Sequence, residues 1–202
     1  MKLFYAAASP FARKVWAQAL ENGLGDRITV VPATVSPVNR DKAIVDINPS
    51  GKIPTLVTDS GEAIYDSRVI CEYLDSIAPG AKLFPVGTGR WKALVLQSLA
   101  DEALDAALLA RYESVLRPEP LRWEDWRAGQ MAKIASSFDT LEKDWTGYLA
   151  GHLDIGVLAA GCLCGYMDFR FPDFDWRANH PKVTAWYESF SKRPSMEKTA
   201  PK

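Results

Sequence analysis

The chain has 202 residues, of which 48% are hydrophobic and 24% charged, an ordinary composition for one large or two small soluble domains. Its 24 basic and 25 acidic side chains leave a net charge of −1, so bulk electrostatics favour neither nucleic acid nor an anionic membrane surface. No apolar run approaches the roughly 20 residues that span a bilayer, and no signal peptide is visible at the N-terminus. The sequence therefore predicts a cytoplasmic protein.

The cysteines point to the same compartment. The chain has three cysteines, an odd number without the spacing of a disulfide framework, namely Cys71, Cys162 and Cys164. We therefore expect reduced thiols, buried as small apolar side chains. The chain has only two histidines, His152 and His180, so no metal site is expected.

The first 80 residues predict an α/β domain. Residues 3–7 form a short apolar run that is typical of a buried first strand. Ser9-Pro10 then begins a helix, because serine is a preferred N-cap and proline suits the first helical turn. The β-branched run over residues 28–31 predicts the second strand, and a β-α-β order favours parallel pairing.

The rest of this domain predicts two further strands and a helix. Residues 34–47 are mixed and polar, which indicates a loop with one helical turn. Residues 53–58 and 63–65 predict antiparallel strands joined by a turn, and Asp66-Ser67 caps the helix that follows. The predicted order is β-α-β-α-β-β-α around a mixed sheet.

The composition changes after this domain. Residues 79–89 contain two prolines and three glycines, which is typical of a linker. Four helices are predicted beyond it, over residues 90–116, 123–143, 153–169 and 181–193. The core candidates of the first of these helices are Trp91, Leu94, Val95, Leu99, Leu104 and Leu108. The predicted domains are therefore an α/β domain over residues 1–78 and an all-α domain over residues 90–202.

A proline interrupts the third predicted strand. Pro54 has no amide hydrogen, so a central strand that pairs on both sides does not accept it. From the residues alone two interpretations remain open. Pro54 is either a trans proline at a sheet edge, or a cis proline that turns the backbone N–H and C=O of Ile53 outward to pair with an extended ligand.

The sequence resembles the cytosolic glutathione transferases, in particular bacterial-type members with a serine in the N-terminal motif. The resemblance covers nearly the whole chain and implies a thioredoxin-like N-terminal domain with a cis Pro54, followed by an all-α domain. The segments that carry it occur in the family's order and spacing. They are residues 9–11, 13–15, 48–56, 64–74, 153–155, 166–168 and 180–195.

The resemblance gives Ser9 the place of the residue that contacts the glutathione sulfur. A hydroxyl at a helix N-terminus can donate to a thiolate, and the helix dipole favours the negative form. A hydrogen bond to a charged group is worth about 1.5–3 kcal/mol, so Ser9 would lower the thiol pKa by about one or two units. The alternative role for Ser9 is a helix cap alone.

The resemblance also places the rest of the tripeptide. Ile53, before cis Pro54, would pair with the cysteinyl backbone. Asp66 and Ser67 would hold the γ-glutamyl end, with hydroxyl and N–H groups for the carboxylate and an anion for the ammonium. Asp66 is one methylene group shorter than the usual family residue.

For the glycine carboxylate the resemblance offers several candidates, because the loop varies in length within the family. Arg40 lies at about the place where some members carry a basic residue. Asn39, Lys42 and Lys52 compete with it. The alternative for each is a solvated loop residue.

Two assignments concern the all-α domain. Leu108, Arg111 and Tyr112 are candidates for the acceptor-substrate pocket by position. Asp154 resembles the family's helix-capping aspartate. Its usual serine or threonine partner is replaced by Gly151, so that half of the capping box is missing.

The activity that the resemblance implies is glutathione S-transferase chemistry in a detoxifying homodimer, with glutathione as co-substrate and a small electrophile as the second substrate. One alternative is a glutathione-binding module without catalysis. A glutathione-dependent thiol reductase is a weaker alternative, because a mixed disulfide needs a protein cysteine where Ser9 stands.

Overall fold

Four strands form one mixed sheet in the computed structural model, which describes all 202 residues. The strands are β1 Lys2–Tyr5, β2 Thr29–Pro32, β3 Thr55–Val57 and β4 Ala63–Ile64. Their order across the sheet is β2-β1-β3-β4, with β1 parallel to β2 and antiparallel to β3, and β4 antiparallel to β3. The predicted thioredoxin-like sheet is confirmed.

Three helices accompany the sheet. They are α1 Pro10–Glu21, α2 Lys42–Val45 and α3 Ser67–Ile77. Gln18 of α1 donates from Nε2 to the carbonyl of Cys71 in α3 at 2.7 Å, so a buried amide joins the two helices. The core between sheet and helices is apolar, with Leu3, Leu56 and Ile70 fully buried. The short α2 is the helical turn that was expected in the polar loop.

The remaining helices make up the C-terminal half. They are α4 Gly89–Val115, α5 Glu124–Thr140, α6 Thr146–Leu149, α7 Ile155–Arg170, α8 Pro181–Phe190 and α9 Pro194–Lys198, with a π-helical turn at Leu141–Trp145 between α5 and α6. The all-α character is confirmed. None of these helices combines the length and the apolarity needed to cross a membrane.

The chain divides into two compact units. The first unit contains Met1–Arg90 together with Pro194–Lys202, and the helical unit contains Trp91–Arg193. The last nine residues thus pack with the first unit, whereas the predicted all-α domain included them. The physical reason lies in Arg13, a buried side chain of α1 whose Nη2 donates to the carbonyl of Met196 at 3.1 Å.

Helix α7 is the centre of the helical unit, as its apolar sequence predicts. Every residue from Ile155 to Met167 is buried, including Cys162 and Cys164. Gly156 allows a close approach, because a Cβ at this position would lie 2.6 Å from the carbonyl oxygen of Ala93 in α4. Two helices that approach this closely need small residues where they meet.

The predicted core face of α4 is only partly correct, because Leu104 is fully buried whereas two other predicted members are exposed. Trp91 and Val95 are 68% and 57% exposed. Leu104 and Leu96 are buried together with a set of alanines, namely Ala93, Ala100, Ala103 and Ala107. Gly156 of α7 meets this face at Ala93 and Leu96, so the close approach of α7 helps to decide which face of α4 turns inward.

Asp154 caps α7 as expected, but its second partner differs from the family pattern. Oδ1 accepts from the backbone N–H of Val157 at 2.9 Å, and Oδ2 accepts from the hydroxyl of Tyr148. Asp154 is only 1% exposed, and burial together with the hydrogen bond to this carboxylate raises the pKa of the Tyr148 hydroxyl. Tyr148 thus stabilises the cap where Gly151 offers no hydroxyl.

Replacing Asp154 by alanine should lower the free energy of unfolding by about 2–3 kcal/mol, because a buried N-cap and the partner of Tyr148 are lost together. Urea denaturation followed by circular dichroism measures this change. Tyr148→Phe is the matched control, since it removes one hydrogen bond, keeps the ring and should cost about 1 kcal/mol. Equal losses in the two variants would contradict the capping role of Asp154.

Candidate functional site

The strand register brings four chain segments to one edge of the sheet. β1 ends at Tyr5, which is opposite Pro32 at the end of β2. β3 begins at Thr55, which is opposite Phe4. β4 ends at Ile64, which is opposite Leu56, the residue after Thr55. Segments that leave or enter the sheet at these points therefore lie along the same edge.

The residues that the sequence singled out are located in these segments. Ser9 follows β1, and Arg40 lies in the loop that follows β2. Ile53 immediately precedes Pro54 and the start of β3. Asp66 follows β4 and begins α3. Residues far apart in sequence thus share one edge of the first unit.

Ser9 is the N-cap of α1, and its hydroxyl oxygen accepts from the backbone N–H of Ala12 at 3.2 Å. Its own N–H donates to the carbonyl of Ala6 at 2.9 Å, which fixes the turn between β1 and the helix. Ser9 is half-buried, and its hydroxyl proton donates to no group of the protein. A free donor therefore lies at the positive end of a three-turn helix dipole.

The peptide bond between Ile53 and Pro54 is cis, as predicted. The backbone hydrogen bonds of β3 begin only at Thr55, opposite Phe4. The N–H and C=O of Ile53 have no backbone or side-chain partner in the protein. Since backbone groups at such positions are almost always paired, Ile53 offers one donor and one acceptor to a bound molecule.

Asn48 holds this loop, a role that the sequence did not reveal. Its side chain is 1% exposed, and Nδ2 donates to the carbonyl of Lys52 at 3.0 Å and to the hydroxyl of Thr55 at 2.9 Å. Oδ1 accepts from the N–H of Ser50 at 3.0 Å and from its hydroxyl at 2.7 Å. One buried amide thereby fixes the segment that presents Ile53.

The start of α3 combines an exposed acid with a buried hydroxyl. Asp66 is the N-cap, and its Oδ1 accepts from the N–H of Arg68 at 2.9 Å. Oδ2 of Asp66 has no partner in the protein, and the hydroxyl of Ser67, in a residue only 4% exposed, has none either. The peptide bond between Tyr65 and Asp66 is cis, which no feature of the sequence indicated.

The two basic candidates for an anion differ in their surroundings. Nη2 of Arg40 donates to the carbonyl of Pro49, and a Cβ added to Gly51 would lie 3.1 Å from Nε of Arg40. Gly51 has a φ of +67°, so it accommodates both the turn and the guanidinium. Lys52 is exposed, and its ammonium group has no partner in the protein.

The other two candidates in this loop are less available. The ammonium of Lys42 forms a salt bridge with Asp46 of the same turn at 2.7 Å. Asn39 is exposed, and its backbone N–H donates to the hydroxyl of Ser36 at 3.3 Å. Arg40 and Lys52 therefore remain the candidate cations that form no salt bridge with a carboxylate of the protein.

Of the three acceptor-pocket candidates in the helical unit, only Arg111 lines a pocket in the structure. Arg111 lines a pocket of about 370 Å³ together with Arg127 and Arg170. Leu108 and Tyr112 are half-buried on α4 and do not line this pocket. The convergence of three arginines from α4, α5 and α7 could not be found from sequence spacing.

Comparison with known proteins decides the family. The model of the glutathione S-transferase N-terminal domain matches residues 8–77, and that of the C-terminal domain matches residues 124–189. The chain belongs to the glutathione S-transferase family. Its own segments at the sheet edge, from Ser9 to Ser67, fall within the first of these matches.

Two relatives match this chain over nearly their full length. The chain is 32% identical to the uncharacterized GST-like protein YibF of Escherichia coli strain K12, over 100% of this chain and 98% of that protein. A glutathione transferase family member from Pseudomonas fluorescens Pf-5, crystallised with bound glutathione, is 44% identical. It superimposes with a TM-score of 0.98 over 100% of this chain and 98% of its own.

A second crystal structure of a family member from Pseudomonas fluorescens Pf-5 contains bound S-(propanoic acid)-glutathione. It is 43% identical, covers 100% of both chains and has a TM-score of 0.93. The family assignment thus rests on both the sequence and the fold of the whole chain.

Proposed function

We propose that the protein is a glutathione S-transferase that joins the glutathione sulfur to a carbon atom of a small electrophile. One observation carries the proposal, namely that the free hydroxyl proton of Ser9, the unpaired backbone of Ile53 and the start of α3 share one sheet edge. The relative from Pseudomonas fluorescens that was crystallised with glutathione supports this choice of ligand.

The proposed binding mode uses each group for a different part of the tripeptide. Ile53 pairs through its N–H and C=O with the cysteinyl backbone, as in the edge addition of a strand. The free Oδ2 of Asp66 accepts from the α-ammonium group of the γ-glutamyl residue. The hydroxyl and N–H of Ser67 donate to its carboxylate at the start of α3.

Ser9 acts on the sulfur. Its oxygen stays bonded to the N–H of Ala12, and its proton is donated to the glutathione thiolate. The positive end of the α1 dipole stabilises the same negative charge. The thiolate is the nucleophile, so a lower thiol pKa increases its concentration at neutral pH.

The conjugation step forms one S–C bond. The thiolate supplies the electron pair to the electrophilic carbon, and either a leaving group departs with the bonding pair or a solvent proton completes an addition. S-(propanoic acid)-glutathione, bound by a relative 43% identical, is a thioether of the kind that such a step produces. The proposed substrates are therefore small carbon electrophiles whose conjugation detoxifies them, and a cytoplasmic location suits the three free cysteines.

Ser9→Ala should lower kcat/KM for glutathione with 1-chloro-2,4-dinitrobenzene at least about tenfold near neutral pH, since a hydrogen bond to the thiolate is lost. The pH profile of kcat/KM gives the decisive readout. Its midpoint should move upward by about one or two units, because the thiol then ionises at higher pH. Loss of a helix cap alone would leave this midpoint in place.

Ser76→Ala is the matched control, since its hydroxyl donates to a backbone carbonyl on the far end of α3. It should change neither the rate nor the pH profile. Tight glutathione binding without conversion of any member of a panel of electrophiles would contradict the transferase and favour a binding module.

Arg40 and Lys52 supply the positive charge for the glycine carboxylate. Arg40→Gln and Lys52→Gln should each weaken glutathione binding about tenfold in isothermal titration calorimetry, because a charge-assisted hydrogen bond is lost. Binding of the glycine monoethyl ester of glutathione, which lacks this carboxylate, should change little. Arg40 also bonds Pro49, and the ester separates damage to the loop from loss of the ion pair.

Lys42→Gln is the control, because this lysine is already paired with Asp46. Its affinity for glutathione should equal that of the wild type. If the ester lost as much affinity as glutathione in the Arg40 and Lys52 variants, neither residue would contact the carboxylate.

The proposed assembly is a homodimer through the outer face of α4. Trp91, Val95 and Leu109 are 68%, 57% and 43% exposed, and their spacing puts all three on one side of this helix. Val95 and Leu109 also line a groove of about 610 Å³ between α4 and α5. A second copy of the same face would cover these side chains across a twofold axis.

Val95→Glu should convert the protein from two copies to one, since it places a charge in the proposed apolar interface. Size-exclusion chromatography with light scattering measures the mass. Ala128→Glu, on an exposed position of α5 outside the groove, is the control and should leave the mass unchanged. A monomeric wild type would overturn the proposal.

A further inference from the structure

A short segment that is distant in sequence packs along helix α1. Residues 195–199, which we call the brace segment, belong to the same compact unit as the sheet. Ser195, Met196 and Thr199 of this segment are at most 5% exposed. The brace segment is therefore a fixed part of the first unit, although more than a hundred residues of the helical unit precede it.

The brace segment bonds to Arg13 of α1. Nη2 of Arg13 donates to the carbonyl of Met196 at 3.1 Å, and Nε donates to the hydroxyl of Thr199 at 3.4 Å. The hydroxyl of Thr199 in turn donates to the carbonyl of Ser195 at 2.8 Å, which fixes the acceptor. Two nitrogens of one guanidinium are thus held by two residues of the same short segment.

Further contacts follow α1 toward its end. The ammonium group of Lys198 lies 6.0 Å from the ring centroid of Trp16. The hydroxyl of Ser195 donates to the carboxylate of Glu21, the last residue of α1. The brace segment therefore contacts α1 from its beginning to its end and fixes the position of the whole helix.

Arg13 belongs to the helical turn that Ser9 caps. The backbone N–H of Arg13 donates to the carbonyl of Ser9 at 2.9 Å, and that of Ala12 donates to the Ser9 hydroxyl oxygen at 3.2 Å. One residue thus bonds Ser9 through its backbone and the brace segment through its side chain. The orientation of the Ser9 hydroxyl depends on how the brace segment holds Arg13.

The Arg13 side chain is costly for the stability of the fold. It is only 3% exposed, forms no ion pair with a carboxylate, and leaves Nη1 without a hydrogen-bond partner. A cation near the N-terminus of a helix also opposes the helix dipole. An apolar side chain would fill the same space without these costs, so stability alone does not account for an arginine here.

We propose that Arg13 is a positioning residue for Ser9 and that the brace segment acts through it. Its bonds to Met196 and Thr199 fix the first turn of α1, so that the Ser9 hydroxyl donates in the direction of the glutathione sulfur. Hydrogen bonds weaken steeply as their geometry worsens, so a small displacement of this turn weakens the bond to the thiolate. This inference rests on the proposed transferase chemistry, because it concerns the role of Ser9 there.

Two variants test the brace segment. Arg13→Met removes the guanidinium and should raise the pKa of the bound glutathione thiol by at least about half a unit, because the bond from Ser9 weakens. Thr199→Val removes the acceptor of Nε but leaves the charge of Arg13 in place. It should shift the pKa in the same direction by less, since the bond to Met196 remains.

The ultraviolet absorbance of the thiolate, followed against pH on the complex of the full chain with glutathione, measures this pKa. The affinity for glutathione in calorimetry should stay within about twofold of the wild type, since the proposed contacts of Ile53, Asp66 and Ser67 are untouched. The turnover number for an electrophile near neutral pH should fall, and KM for glutathione should change little.

Thr184→Val is the matched control. The hydroxyl of Thr184 donates to the carbonyl of His180 at 2.8 Å, the same kind of bond that Thr199 forms with Ser195 at 2.8 Å. Thr184 lies in the helical unit, away from α1. This variant should lose comparable stability in thermal unfolding and leave the thiol pKa unchanged.

Amide hydrogen exchange gives a second readout that needs no ligand. The N–H of Ala12, which bonds the Ser9 hydroxyl, should exchange faster in Arg13→Met and Thr199→Val than in the wild type. Neither readout needs an electrophile. A protein that converts no electrophile would therefore contradict the transferase and leave the test of the brace segment intact, and amide exchange decides it if no thiolate is detected.

Two results would overturn the proposal. An unchanged thiol pKa together with unchanged exchange at Ala12 in both variants would show that Ser9 does not depend on Arg13. A pKa shift in Arg13→Met alone, with Thr199→Val equal to the wild type in both readouts, would assign the effect to the charge of Arg13 and exclude the brace segment. Thr199→Val decides the matter if Arg13→Met does not fold.

Discussion

The antiparallel pairing of β1 with β3 is the constraint on which the candidate glutathione site depends. Phe4 opposite Thr55 places the turn after β1 beside the loop before β3, and the pairing of β3 with β4 adds the start of α3. A shift of this register by one residue would turn Leu3 and Leu56 out of the core, so burial fixes the register. The hydrophobic core thereby determines which polar groups meet at the edge.

At this edge of the sheet, some polar groups have all their hydrogen-bond partners within the protein and others have none. Both ends of the Asn48 amide are bonded, and the side chain is buried. Beside it, the backbone of Ile53, Oδ2 of Asp66 and the hydroxyl proton of Ser9 have no partner. Unpaired groups are costly inside a protein, whereas an edge that is open to a ligand tolerates them. The rigid loop and the free groups are thus two parts of one binding edge.

The features that depend on local chemistry, such as where helices begin, were predictable from the sequence. Ser9, Asp66 and Asp154 begin helices because their side chains accept hydrogen bonds from nearby N–H groups. The order of strands and helices along the chain followed from periodicity and turns. The cis form of Pro54 needed the family resemblance as well, since residue chemistry left two interpretations open. Tertiary contacts were not predictable in the same way. The inward face of α4 depends on the approach of α7 at Gly156, and Tyr148 reaches Asp154 from a different helix.

The same distinction separates the sheet edge of the first unit from the arginine pocket of the helical unit. The groups at the sheet edge lie at the ends of strands and helices, where sequence signals are strongest, so a pattern of caps and turns marks them. Arg111 and Arg170 lie within long helices, where an arginine is usually a solvated residue and carries no signal of its own. Only the folded helical unit shows that they meet without a counter-ion. A cluster of helix-interior side chains is therefore found from the structure, even in a chain whose family is evident from its sequence.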